Sequence, residues 1–155
     1  MPPKSTSATQ PLSISIPWRP FPGFDGLYYH VLDVDKKRDL VDMLMKFDSG
    51  SKCVPHRHVG PTRTLVIEGD HLIFDSVDPN KLVSTRSAGT FSTNNGDETH
   101  IEGGGDNGAV ILLSMTAVNH EIYEVFDANM VLNRIIDTCD FERGLKKQNE
   151  ENSVS

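Results

Sequence analysis

Along most of this chain, apolar and polar residues alternate in short runs broken by Gly, Asn, Asp or Pro. Alternation with period two marks a strand with one buried face. Val41, Met43, Met45 and Phe47 share one parity and Asp42, Lys46 and Asp48 the other, which predicts a half-buried strand over 40–47. Residues 27–34, aromatic and β-branched, predict a strand before it, with the polar 35–39 as a turn. A strand over 64–67 closes on Glu68-Gly69-Asp70, a hairpin signal, and 71–75 returns from it. Short strands follow over 82–86 and 90–93, then the most apolar one over 109–118, and another over 120–126. The glycine-rich stretch 102–108 reads as a flexible loop, since no phosphate-loop Lys-Ser/Thr follows it. Near the end the period changes. Val131, Ile135 and Ile136, three to four apart, predict the one helix, over 129–141, capped by Asp127 or Asn129.

Many short strands with one terminal helix predict an all-β fold, a double-sheet barrel of the jelly-roll kind. At 155 residues the chain fits one domain. The expected division is a flexible N-terminal tail over 1–17, a barrel domain over 18–142 and a polar, fraying tail over 143–155. The Pro17–Phe24 segment is too proline-rich for helix and should cover one end of the core or a dimer contact. With exposed edge strands it predicts a homodimer or higher homo-oligomer.

A formal net charge of −7 argues against a phosphate-binding groove, so no nucleic-acid partner is expected. No run is long and apolar enough for a membrane span, and the N-terminus lacks the apolar core of a secretion signal. The expected location is cytoplasmic. Cys53 and Cys139 are then not expected to pair, and strand parity turns Cys53 away from the even-numbered His56.

The chemistry centres on Pro55-His56-Arg57-His58. Two imidazoles one residue apart project from the same face of a strand, so their rings can converge on one ion. His100 lies far enough downstream, with several strands between, for the chain to return beside the pair. His30, His71 and His120 have no partner at metal-ligand spacing and read as structural.

The stretch Gly50 to His58, followed by Gly69, resembles the first motif of the cupin superfamily, and Gly89 to His100 a looser form of the second. His56-Arg57-His58-Val59-Gly60-Pro61 is similar to the small cupins that cleave acetylacetone. The 2,4'-dihydroxyacetophenone dioxygenases and the cupin domain of ChrR-type anti-sigma factors are related in the same way. The resemblance covers roughly residues 20 to 140 and implies a cupin barrel with His56, His58 and His100 as metal ligands. The usual cupin glutamate, four or five positions after the second histidine, is replaced by Thr62 and Arg63. The fourth, anionic ligand is therefore expected to be missing.

Three neutral imidazoles would leave a divalent ion its full charge, suited to an anionic bidentate ligand such as a diketone enolate. The resemblance implies a non-haem iron(II) dioxygenase cleaving a carbon–carbon bond of a small diketone or hydroxyketone. Imidazole equally suits zinc, nickel or copper, and manganese stays open. An oxygen-independent isomerase, cyclase or lyase on a small carbonyl compound is the alternative, and a ligand-sensing cupin without catalysis a second. Two further residues are candidates for the catalytic machinery. Arg63 reads as a surface charge or as a cation for an anionic substrate, and Glu98 shares parity with His100 as a carboxylate holding an imidazole, a general base or a replacement ligand. Met43, Met45, Phe74, Ile111, Leu113 and Met115 are candidates for the pocket lining.

Overall fold

The computed structural model of the protein describes residues 11–153. After a helical turn, α1 (Leu12–Ser15), come β1 (Arg19–Pro20), β2 (Leu27–Asp35), β3 (Leu40–Phe47), β4 (His56–His58), β5 (Thr62–Phe74), β6 (Leu82–Ser87), β7 (Phe91–Asn94), β8 (Glu98–Thr116), β9 (Glu121–Phe126), β10 (Leu132–Asp137) and α2 (Thr138–Asn152). The strands run antiparallel in the order β1-β2-β3-β8-β4-β9-β10, with β5 also on β8 and carrying β6 and β7. This is a curled antiparallel sheet, a half-barrel with one C-terminal helix, in keeping with the all-β fold that the strand pattern predicts. No helix among the described residues is long and apolar enough to cross a membrane.

The long strand β8 makes the curl. Its first residues, Glu98–His100, pair with β4, while Ala109–Thr116 lie between β3 and β5. The second half meets Val41, Met43, Met45 and Phe47 in the core, with Ile111 and Leu113 fully buried. The predicted parity of β3 therefore holds.

Three local expectations fail. The stretch 102–108 is strand, not loop, because glycine lets β8 pass close to the turn after β3. A Cβ at Gly103 would stand 2.7 Å from Ser51 O, and one at Gly104 2.7 Å from Asp48 O. Gly69 is likewise no hairpin turn. With φ at 69° it sits among register shifts in the unbroken β5, where the strand bends and runs on beside β8.

The third failure is the helix. Residues 132–137 form β10, and the helix starts at Thr138. Strand β10 leaves Leu132 and Ile135 exposed, so the three-to-four spacing did not mark a buried helical face. The true start signal is a capping box: Asp137 accepts from Asp140 N at 2.9 Å, and Asp140 accepts from Asp137 N at 3.0 Å. The expected boundary at 142/143 falls inside this helix. Its polar sequence is tied down by Gln148, which is buried and bonds both Val31 N (2.9 Å) and Val31 O (2.8 Å) at the irregularity in β2. Phe141 adds an apolar anchor to the core.

Residues 1–10 of the expected N-terminal tail lie outside the described residues. Just beyond, Trp18 Nε1 donates to Ser13 O at 2.7 Å. Phe21 stacks edge-on with Phe24 and Tyr29, and both phenylalanines pack on the core, as expected of a cover for its end.

Candidate metal centre

Strand β4 lies between β8 and β9, with His56 opposite His100 on one side and Val125 on the other. Period-two geometry then puts His56, His58 and His100 on one face, joined by the next residue of that parity on β8, Glu102. One donor atom from each of these four buried residues lies within 4.8 Å of all the others. The fourth, anionic group expected to be missing is therefore present. It comes from β8 instead of from the positions of Thr62 and Arg63. The Glu98-x-His100-x-Glu102 alternation carried that signal, hidden by reading the glycine run as a loop.

The outer atom of every ring is held. His56 Nδ1 lies 3.0 Å from Val54 O, and His100 Nδ1 3.1 Å from Glu98 Oε1. Both partners only accept, so both nitrogens carry the proton. His58 Nδ1 lies 3.3 Å from Thr62 Oγ1, whose own hydrogen is donated to Gly60 O at 3.3 Å. Again the imidazole must donate. In the neutral rings all three Nε2 atoms then present lone pairs to the centre, the form in which histidine binds metals.

Those lone pairs crowd together. His58 Nε2 and His100 Nε2 are 3.0 Å apart, and Glu102 Oε2 is 2.9 Å from His56 Nε2 and 3.6 Å from His100 Nε2. Acceptors this close in a buried site need a positive charge between them, a proton or a metal ion. The titration directions agree. Burial pushes His58 down to about 3, with the charge of His56 adding to it. Burial also opposes the charge on His56 and His100. Cys53 and Glu102 outweigh it for His56, and Glu102 and Glu98 for His100, so both titrate above the ordinary imidazole range. Burial would raise Glu102, but its histidine neighbours hold it well below the usual carboxylate range. A group of three imidazoles and one carboxylate is suited to a divalent ion.

The other candidates are placed as follows. Glu98 is half-buried, and its hydrogen bond from His100 keeps its carboxyl below the ordinary range. Arg63 does not join the cluster: it is exposed between the buried Thr62 and Thr64, on the other face of β5. Cys53 is nearer than parity implied, since the strand register does not run through Pro55. Its Sγ lies 3.5 Å from His56 Nδ1 and accepts from Glu102 N at 3.2 Å. His71, read from the sequence as having no metal-site partner, lies with Nε2 2.9 Å from Glu102 Oε1.

Beyond His56 and Glu102 a cavity of about 310 Å3 opens, walled by Phe24, Met43, Met45, Tyr123, Val125 and Ile136, with the exposed Asn133 and Arg134 at its mouth. Of the sequence candidates for this lining, Met43 and Met45 take part. Ile111, Leu113 and Met115 are plain core, and Phe74 lies under Lys52 Nζ, 3.9 Å from its ring centre. On the outer face of β4, Arg57 grips Glu124 of β9 through two hydrogen bonds (2.8 and 2.9 Å) and Asp97 through a third (3.0 Å). The strand carrying two of the four groups is thereby fixed to β9 and to the turn that leads into β8.

Comparison with known structures shows the same fold. A candidate acetylacetone dioxygenase from Methylibium petroleiphilum superposes with a TM-score of 0.70 at 15% identity, over 94% of this chain and 99% of that one. An acetylacetone dioxygenase from Acinetobacter johnsonii gives 0.69 at 15%, over 84% and 85%. The anti-sigma factor ChrR of Rhodobacter sphaeroides, in complex with SigE, gives 0.52 at 18%, over 64% of this chain and 48% of that one. A search of curated proteins returned no match. The model of the ChrR cupin-like domain matches residues 12–119, and the chain belongs to that cupin family.

Proposed function

We propose that this protein is a metal-dependent cupin enzyme, an iron(II) dioxygenase that cleaves a carbon–carbon bond of a small diketone or hydroxyketone. The observation that carries the reading is the buried cluster of His56, His58, His100 and Glu102, two of which, His56 and Glu102, line a largely apolar cavity of about 310 Å3. A lone structural ion would need no such access. The likeness to acetylacetone dioxygenases supports the choice of reaction. A divalent ion held there would polarise a carbonyl oxygen and, as iron(II), support dioxygen chemistry.

The chain's own groups serve that role in distinct ways. Three neutral imidazoles and one carboxylate leave a divalent ion one unit of positive charge, less than the three-histidine set expected from the sequence but enough to favour an enolate oxygen. Methionine and aromatic walls exclude water from the carbon skeleton. Tyr123 meets His56 and His58 edge to face, with ring centres 5.5 and 5.0 Å apart. Burial keeps its phenol protonated, so it can donate to a substrate oxygen in the cavity. Arg134 at the mouth suits a substrate with an anionic end.

One observation favours the oxygen-independent alternative: a phenol and a thiol, Tyr123 and Cys53, line the cavity beside the cluster. Metal analysis followed by oxygen-electrode assays of iron-loaded protein with acetylacetone and related diketones tests the proposal. It predicts one divalent ion per chain and uptake of one dioxygen per diketone consumed. Equal product formation without oxygen would favour an isomerase or lyase. Metal-loaded protein inert towards every carbonyl compound would overturn the enzyme reading.

A further inference from the structure

His71 lies on β5, outside the two strands that supply the metal-binding group, and it is fully buried. Its Nε2 is 2.9 Å from Glu102 Oε1, while Glu102 Oε2 faces His56 at 2.9 Å and His100 at 3.6 Å. An ionised carboxylate only accepts, so the hydrogen of the first contact sits on His71 Nε2. The other ring nitrogen, Nδ1, is buried without a partner among the described residues. An apolar side chain against Phe47, whose ring lies 5.8 Å away, would fill this space without that penalty. What the histidine adds is a donor aimed at one oxygen of Glu102.

We infer that His71 is a positioning residue that reserves Glu102 Oε1 and so limits the carboxylate to a single oxygen, Oε2, at the centre. With Oε1 held by β5, Glu102 cannot swing to chelate through both oxygens, and room is kept for a second ligand entering from the cavity. Each of the four groups then has a fixed outer partner: Val54 O, Thr62, Glu98 and, for Glu102, His71. The inference rests on the metal centre proposed above.

The test uses the whole chain, stripped of metal and titrated with Co2+, with affinity read by calorimetry and coordination by visible absorption. His71→Leu and His71→Asn, the latter too short to reach Oε1, should each weaken Co2+ binding about 10–100-fold, the usual scale for outer-partner loss. Both should also alter the absorption band. His71→Gln, which can still donate, should stay within a few-fold of wild type. In a Glu102→Gln background, His71→Leu should cause no further loss. If whichever of the Leu and Asn variants folds keeps wild-type affinity and spectrum, the inference fails. It fails equally if His71→Leu weakens binding as much without the Glu102 carboxylate as with it. Wild-type protein that takes up no Co2+ would instead overturn the metal centre itself.

Discussion

The two halves of β8 are both buried, yet they are built on opposite principles. Ala109–Met115 packs apolar side chains between β3 and β5, and each buried contact there favours the fold directly. Glu98–Glu102 buries histidine and carboxylate groups whose lone pairs face one another at 2.9–3.6 Å. The first arrangement is complete without a ligand, whereas the second needs a positive charge, a proton or a metal ion, between its acceptors. One strand therefore holds the stability of the sheet at one end and its chemistry at the other. The tight packing of the first end keeps the second in place.

The comparison is broken most severely at the apolar end. Leu113→Ala, at a fully buried position, should cost about 2–5 kcal/mol in denaturant unfolding. The variant that still folds should bind metal with unchanged stoichiometry. His100→Ala should do the reverse. Metal affinity should fall by more than about 100-fold, beyond the range for losing an outer partner. The stability of the metal-free chain should drop much less than in Leu113→Ala. A divalent ion at 100 times its Kd should stabilise the wild type by about 2.7 kcal/mol and this variant hardly at all, as read from thermal melts. Lowering the pH through the imidazole range should release the ion, since protons compete for the same lone pairs.

The outer face of β4 sharpens the contrast on a smaller scale. Arg57 holds the Glu124 carboxyl below the ordinary range, its hydrogen bonds outweighing the burial that would raise it. A depressed folded value means that this contribution is present above the unfolded glutamate value near 4.3 and is lost as the pH falls through the folded one. Arg57→Met should remove about 1 kcal/mol at neutral pH and flatten that acid limb in urea unfolding measured across pH. The smallest effect is expected at the cavity mouth. Arg134→Met should change stability by less than about 0.5 kcal/mol while raising KM for an anionic substrate several-fold, with little effect on a neutral analogue.

Much of the centre was legible because it depends on parity. His56 and His58 share a face wherever the strand lies, and β3 shows its buried side in four alternate residues. His100 needed only that the chain return, and Glu98 only that it stay in register. The capping box at Asp137 and Asp140 was also local. It was passed over because the spacing of Val131, Ile135 and Ile136 imitates a helical stripe while those residues lie at and along an exposed edge strand.

Glu102 and His71 belong to another class. Whether Glu102 extends the line of His100 depends on the glycines after it running as strand, which the close approach of Ser51 and Asp48 decides. Whether His71 meets Glu102 depends on β5 passing Gly69 without turning back, so that its far end lies along β8. Side-chain period is a property of the chain itself. The pairing of two strand segments 31 residues apart, and the bulge at which one of them bends and still runs on in register, exist only in the folded sheet.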